Sequence, residues 1–224
     1  MRKYKLLLII ALLHGSISAQ SSPGPGYLSQ LIIPMIEVPI LGTPYYEESY
    51  RLGQVSFEGE RFNFFFRFNA LRDRIELKDR TNRLYHLQKN EVIEPKFGGK
   101  IYQLKSFYED DILRIGYFIP LNKGKTILYF KPKKTFVQAK SPDHGYEEYK
   151  QPYYKDVSLY YVQFDNYLLM PVELSKRSLL NMFHSRHSEI EEYARRNELD
   201  YRAERDAVIL VNYYNRITST ESSK

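Results

Sequence analysis

Residues 61–69 run Arg-Phe-Asn-Phe-Phe-Phe-Arg-Phe-Asn, and this stretch limits the fold more tightly than any other. Phe62, Phe64, Phe66 and Phe68 recur at a period of two, so an extended backbone sets all four rings on one face. Arg61, Asn63, Arg67 and Asn69 fall on the other face, with Phe65 the exception. After a polar break at residues 70–73, Ile75 and Leu77 resume the alternation between Arg74, Glu76 and Lys78. The pattern predicts two half-buried strands joined by a short turn, with the phenylalanine face packed on something. Burying one ring of the set commits the others unless a bulge intervenes. Phe64 and Phe66 are therefore expected inside, and Asn63 and Arg67 on the opposite face.

Around this centre, residues 45–174 read as strands and turns. Val55 and Phe57 lead to a Glu58-Gly59 turn, residues 84–87 form a further strand, and Gly98-Gly99 punctuates before residues 101–104. Residues 112–119 end at Pro120, and Asn122-Lys123-Gly124 turns the chain into residues 126–130. Residues 135–139 follow the break at Pro132, and residues 157–164 and 167–172 flank the turn dipeptide Asp165-Asn166. Many short strands with adjacent turns predict an antiparallel meander, sandwich or partial barrel. The period then changes. Ser175 is a good N-cap before Leu179, Leu180, Met182 and Phe183, and Ser188 and Asp200 are candidate caps for two further helices. The fold class expected is α+β: a mainly antiparallel β-sheet body over residues 45–174, then two or three short C-terminal α-helices over residues 175–216. A polar tail over residues 217–224 completes this division of the chain.

Ahead of the body, Arg2, Lys3 and Lys5 precede the apolar run at residues 6–13, and small residues follow at Gly15, Ser16, Ser18 and Ala19. That order predicts a cleaved signal peptide over residues 1–19. The apolar run is much shorter than the roughly 20 residues that span a bilayer. Residues 20–44 read as a flexible leader followed by an apolar arm at residues 31–41, in which Pro34 and Pro39 bar a helix interior or a central strand. The arm is expected to lie extended along an edge of the domain or to dock on a partner. The chain has no cysteine, so neither a lipidated cysteine nor a disulfide is expected, and the core must hold the fold alone. Removing residues 1–19 lowers the net charge from +6 to +3, and apart from Lys131, Lys133 and Lys134 the charges are interleaved. A mildly basic, mixed surface of this kind does not indicate a nucleic-acid partner.

Several phrases recur in a fixed order: Gly42-Thr43-Pro44-Tyr45, then Arg67-Phe68-Asn69 with Asp73 and Ile75-Glu76, then Gly116-Tyr117-Phe118, and finally Tyr213-Tyr214-Asn215 closing the leucine-bearing helices. Over residues 40–216 the chain resembles an uncharacterised family of exported, β-rich envelope proteins of the Bacteroidota with no assigned activity. The resemblance implies the periplasm or cell surface of a Gram-negative bacterium, and a β-rich body with a helical end. It carries over no catalytic or binding residue.

Constellations that carry chemistry are few. His184, His187 and Glu191 stand at i, i+3 and i+7, which on one uninterrupted helix makes a zinc triad; the competing reading is a helix–helix junction that destroys the register. His144 sits among Asp143, Glu147 and Glu148, either as a catalytic loop or as a solvated acidic one, and no nucleophile motif accompanies it. Asp110-Asp111 and Glu147-Glu148 are adjacent pairs, which an extended segment points to opposite faces, so they make poor acid/base partners. The Gly124-Lys125-Thr126 triplet lacks the upstream glycine of a phosphate loop, so nucleotide use is not expected. Aromatic content is unusual, with 21 tyrosines, 13 phenylalanines and no tryptophan. The pairs Tyr45-Tyr46, Tyr153-Tyr154, Tyr160-Tyr161 and Tyr213-Tyr214 suit either a glycan or peptide platform or plain β propensity. No catalytic, cofactor-binding or metal-ligating residue is assigned. The function expected is a non-catalytic exported envelope protein binding a protein or glycan partner. The alternatives are a carrier of lipid or another apolar ligand in a β-lined cavity, and a metal- or His-dependent hydrolase.

Overall fold

The computed structural model describes residues 39–141 and 148–221. Among them the chain is mainly antiparallel β-sheet with three α-helices at its C-terminal end, as the alternation and its later change of period require. The first sheet holds β1 (Arg51–Phe57), β2 (Glu60–Asn69), β3 (Arg74–Lys78), β4 (Leu84–His86), β5 (Lys96–Phe97) and β6 (Lys100–Ile101), ordered β4-β3-β2-β1-β5-β6 and curled into a half-barrel. Glu58 and Gly59 both take positive φ, 50° and 82°, the geometry of a two-residue turn whose twist suits a hairpin.

Inside the half-barrel the phenylalanine face fills a core rather than lining a cavity. Phe66, 0% exposed, stacks on Phe97 at 5.2 Å, and Phe97 stacks in turn on Tyr102 at 4.4 Å. Phe68 meets Tyr102 at 5.4 Å and the edge of Tyr117 at 6.1 Å. The expected burial fades along β2, however: Phe64 is half-buried and Phe62 is 39% exposed. The reason is pairing, since β3 reaches only Phe65 to Asn69, and the far end of the β1–β2 ribbon extends past its neighbours. On the outer face Arg67 lies between the rings of Tyr45 and Tyr50, 3.4 and 4.3 Å from their centroids, and pairs with Glu76 at 2.8 Å. Burial works to raise the Glu76 pKa, but hydrogen bonds from Asn69 and Arg67 hold it below the usual carboxylate value.

The second sheet is built from β7 (Gln103–Glu109), β8 (Ile112–Pro120), β9 (Thr126–Lys131), β12 (Leu159–Phe164) and β13 (Met170–Val172), ordered β13-β12-β9-β8-β7. A bridge between Phe107 and Leu169, the residue before β13, joins the two ends of this order, so the sheet curls until its edges touch. Its inner face carries Phe107, Phe118, Tyr129, Tyr161 and Leu169, all buried against one another. Between β9 and β12 the chain makes a separate ribbon of β10 (Lys134–Val137) and β11 (Tyr153–Asp156). Leu41 bridges Tyr153 in parallel: its N–H donates to the Pro152 carbonyl at 2.9 Å, and its carbonyl accepts from Tyr154 at 3.0 Å. Leu41, the last residue of the expected arm, thus adds one bridge at a sheet edge. Residues 31–38, the rest of the arm, lie outside the described residues, as do residues 1–30.

The helices are α1 (Lys176–Met182), α2 (His187–Arg196) and α3 (Glu204–Glu221), with a 3₁₀ turn at His184–Arg186. Ser175 caps α1, accepting a hydrogen bond from the Ser178 N–H at 3.3 Å. The other two caps differ from expectation. Arg186 occupies the cap of α2, so Ser188 is already inside the helix, and Asp200 holds a turn through the Arg202 N–H while α3 begins only at Glu204. The third helix also continues to Glu221, past the limit expected at residue 216. Its Ala207, Leu210 and Val211 are fully buried against Leu128 and Val162 of the sheet and the apolar faces of α1 and α2. Asn215 fastens this packing. Its Oδ1 accepts the Thr126 N–H at 2.8 Å, and its Nδ2 donates to the Thr126 carbonyl at 2.7 Å, as a neighbouring strand would. Among the described residues no helix is long and apolar enough to cross a membrane.

Candidate functional site

An open groove of about 460 Å³ forms where three segments meet: the β2–β3 turn, the β7–β8 hairpin and the exit of β9. Alternation along β9 sends Ile127, Tyr129 and Lys131 to the inner face of the second sheet, so a lysine takes the position after two core residues. Only 5% of the Lys131 side chain is exposed. Its Nζ sits 4.6 Å from the ring centroid of Phe107 and 4.5 Å from that of Phe118, and 3.5 Å from Asp73 Oδ1. Gly116 makes this possible, because a Cβ there would collide with the Lys131 ammonium and stand 2.8 Å from Asp73 Oδ2. Desolvation lowers the Lys131 pKa, with Asp73 pulling the other way.

Asp73 takes φ +47° at the end of the β2–β3 turn, which carries its carboxylate inward. Oδ1 accepts the Tyr117 N–H at 3.2 Å, and Oδ2 accepts from Lys89 at 2.8 Å. Lys89 also donates to the Ile115 carbonyl at 3.1 Å. Burial, with the Asp73 charge in addition, pushes the Tyr117 phenol up to about 12. On the opposite wall Glu109 is held by Lys133 at 2.5 Å and Arg114 at 3.0 Å. The Lys133 hydrogen bond is the main reason its carboxyl stays below the usual range. Arg72 completes the lining, and among the described residues its guanidinium has no ion pair, hydrogen bond or ring contact. Five cations thus face two carboxylates, a local balance of +3. Beside the groove Tyr108 and Leu113 pair across the β7–β8 hairpin, and both are exposed.

The residues singled out from sequence lie elsewhere. Helix α1 ends at Met182 and α2 starts at His187, so His184, with φ +25° in the 3₁₀ turn, is off the helix that bears Glu191. Glu191 pairs with Lys176 at 2.7 Å, and no group of three His, Cys, Asp or Glu able to hold a metal ion occurs among the described residues. His144, with Asp143 and Glu147, lies outside the described residues, and the neighbouring Glu148 is exposed. Asp110 and Asp111 are not extended: both take positive φ, 51° and 60°, in the β7–β8 turn. The tyrosine pairs mostly pack. Tyr161 enters the inner core, while Tyr160 contacts Phe130 at 5.3 Å and donates to Glu204 at 3.0 Å. Tyr213 stacks on Tyr193 at 3.8 Å, and Tyr214 packs at a tilt against Phe183 at 4.8 Å.

The groove was missed because Lys131 reads as part of a basic block with Lys133 and Lys134. The signal for it is the period-two run Ile127, Tyr129, Lys131, which places a charge where the alternation demands a core residue. No family model matches this chain, and neither a curated protein nor a solved structure matches it.

Proposed function

We propose that the protein is a non-catalytic, exported envelope protein of the periplasm or cell surface that binds a protein or glycan partner, and that the groove over Lys131 receives an anionic group of that partner. Its support is the charge balance of the groove, +3 with both carboxylates already engaged. A buried ammonium with its counter-ion at 3.5 Å is costly to keep charged, and an incoming anion lowers that cost. The groove's lining holds no hydroxyl or thiol nucleophile beside a base.

The test is surface plasmon resonance of residues 20–224 against dextran sulfate and neutral dextran, at low and physiological salt. Binding to the sulfated polymer alone, weakened by salt and by Arg72→Ala with Lys133→Ala but not by the remote Lys96→Ala, is the expected result. Equal losses from the groove and remote variants, or no binding, overturn the reading. A second reading, the apolar-ligand carrier, is favoured by a groove of about 600 Å³ between β12–β13 and α1, whose walls include Val162, Phe164, Met170, Met182 and Tyr214. Native mass spectrometry of the purified protein decides it, by the presence or absence of a bound apolar molecule.

A further inference from the structure

We infer that the group the groove receives is a tetrahedral oxyanion, the terminal phosphate monoester of its ligand, seated over Lys131 and closed in by Arg72. This rests on the anion-binding reading proposed above and narrows its chemistry.

Commitment of the donors comes first. Lys133 and Arg114 share Glu109, at 2.5 and 3.0 Å, and Lys89 is occupied by Asp73 at 2.8 Å and the Ile115 carbonyl at 3.1 Å. Two cations are the least committed. Lys131 has Asp73 only at 3.5 Å, and Arg72 has no partner among the described residues. They approach from different segments, Lys131 from the end of β9 and Arg72 from the β2–β3 turn.

Charge decides between ligand classes. A single carboxylate leaves two of the three surplus positive charges unanswered. A phosphate monoester carries about −1.5 to −2 and three acceptor oxygens, so it answers most of the surplus while taking donors from several directions. A planar carboxylate matches one fork of donors, whereas the groove presents an isolated guanidinium, a deep ammonium and the remaining hydrogens of Lys133 at different depths. The rings of Phe107 and Phe118 stand against the Lys131 ammonium, and Lys131 lines the groove.

Isothermal titration of residues 20–224 with glucose 6-phosphate, glucose 6-sulfate, glucuronate and glucose tests this, because the four share one sugar ring and differ in the group at its sixth carbon. The inference expects the phosphate ester to bind at least about 10-fold more tightly than the singly charged sulfate ester and glucuronate, and glucose not at all. Glucose 6-sulfate binding as tightly as glucose 6-phosphate overturns the charge argument. Arg72→Ala, an exposed position that leaves the fold intact, is expected to weaken the ester about 10-fold or more, and Lys131→Met to abolish it with the melting temperature retained. Glucuronate binding as tightly as the phosphate ester overturns the tetrahedral assignment while leaving the anion reading in place. No binding by any of the three anions overturns both, and ester binding indifferent to Arg72→Ala and Lys131→Met removes it from this groove.

Discussion

Asp73→Asn separates the charge of the Asp73 side chain from its shape. Asparagine tolerates the φ of +47° that Asp73 adopts and still accepts the Tyr117 N–H, so backbone strain and that hydrogen bond survive. What disappears is the counter-charge 3.5 Å from an ammonium whose side chain is 5% exposed. At that separation and an effective dielectric of 20, Coulomb's law gives about 5 kcal/mol. The Lys89 contact adds little, since both partners are partly solvated. Removing one member of a buried pair typically costs about 3–5 kcal/mol. A loss of that size in a domain of this length lowers the melting temperature by roughly 6–20 °C. Lys131→Met fills the same space without a charge and is expected within about 1 kcal/mol of the parent, on either side. The double variant should then match Lys131→Met, because no buried charge remains to be compensated. Urea unfolding of the four proteins measures this, provided the m-values agree. If Asp73→Asn costs less than about 1 kcal/mol, or if Lys131→Met costs as much as Asp73→Asn, the account of the groove floor is wrong.

Three further outcomes follow from the packing. Phe66→Ala is expected to cost about 3–5 kcal/mol, against about 1 kcal/mol or less for Phe62→Ala on the same face of β2, and equal melting points would refute the burial gradient. Asn215→Ala leaves the Thr126 N–H without its acceptor and should cost about 1–3 kcal/mol in urea unfolding, and no change would dismiss the side chain as a fastener. In alkaline titration followed by phenolate absorbance, Tyr117 and Tyr129 should lose their protons near pH 12 rather than 10. The folded state binds those protons more tightly, so the stability they lend is full below pH 10 and drains between 10 and about 12. Tyr117→Phe should flatten part of that decline.

The hairpins were legible because local chemistry specifies them. Glu58-Gly59 supplies two positive φ angles, and the alternation on both sides sets the register of β1 against β2. Ser175 was legible for the same reason, as one hydroxyl one turn from one N–H. Phe62 was not, since period tells which face a ring takes and is silent on whether neighbouring strands reach that far along it. The ribbon of β10 and β11 escaped because its pairing, Lys134 to Asp156 through Val137 to Tyr153, spans a long excursion of the chain. The groove is harder still. Arg72, Lys89, Arg114 and Lys131 come from four places in the sequence, and only the curl of the second sheet against the β2–β3 turn brings them round one opening. Local spacing flags Lys131 alone, through its period-two run with Ile127 and Tyr129, and is silent on the other three.

Asn215 also imposes an order in time. Thr126 hydrogen-bonds to two asparagine side chains: Asn122, four residues away, and Asn215, 89 residues away. Closing the longer loop costs roughly 3 kcal/mol more in chain entropy, by the logarithmic dependence on loop length. During synthesis the near asparagine is therefore in place long before the far one exists. A chain halted after Val172 but before Asn215 holds every strand of both sheets and still leaves the Thr126 amide of β9 without its Asn215 acceptor. The side chain of Asn215 therefore acts as a late check on the sheet: products cut ahead of it are expected to stay more open to proteases than the chain that carries it.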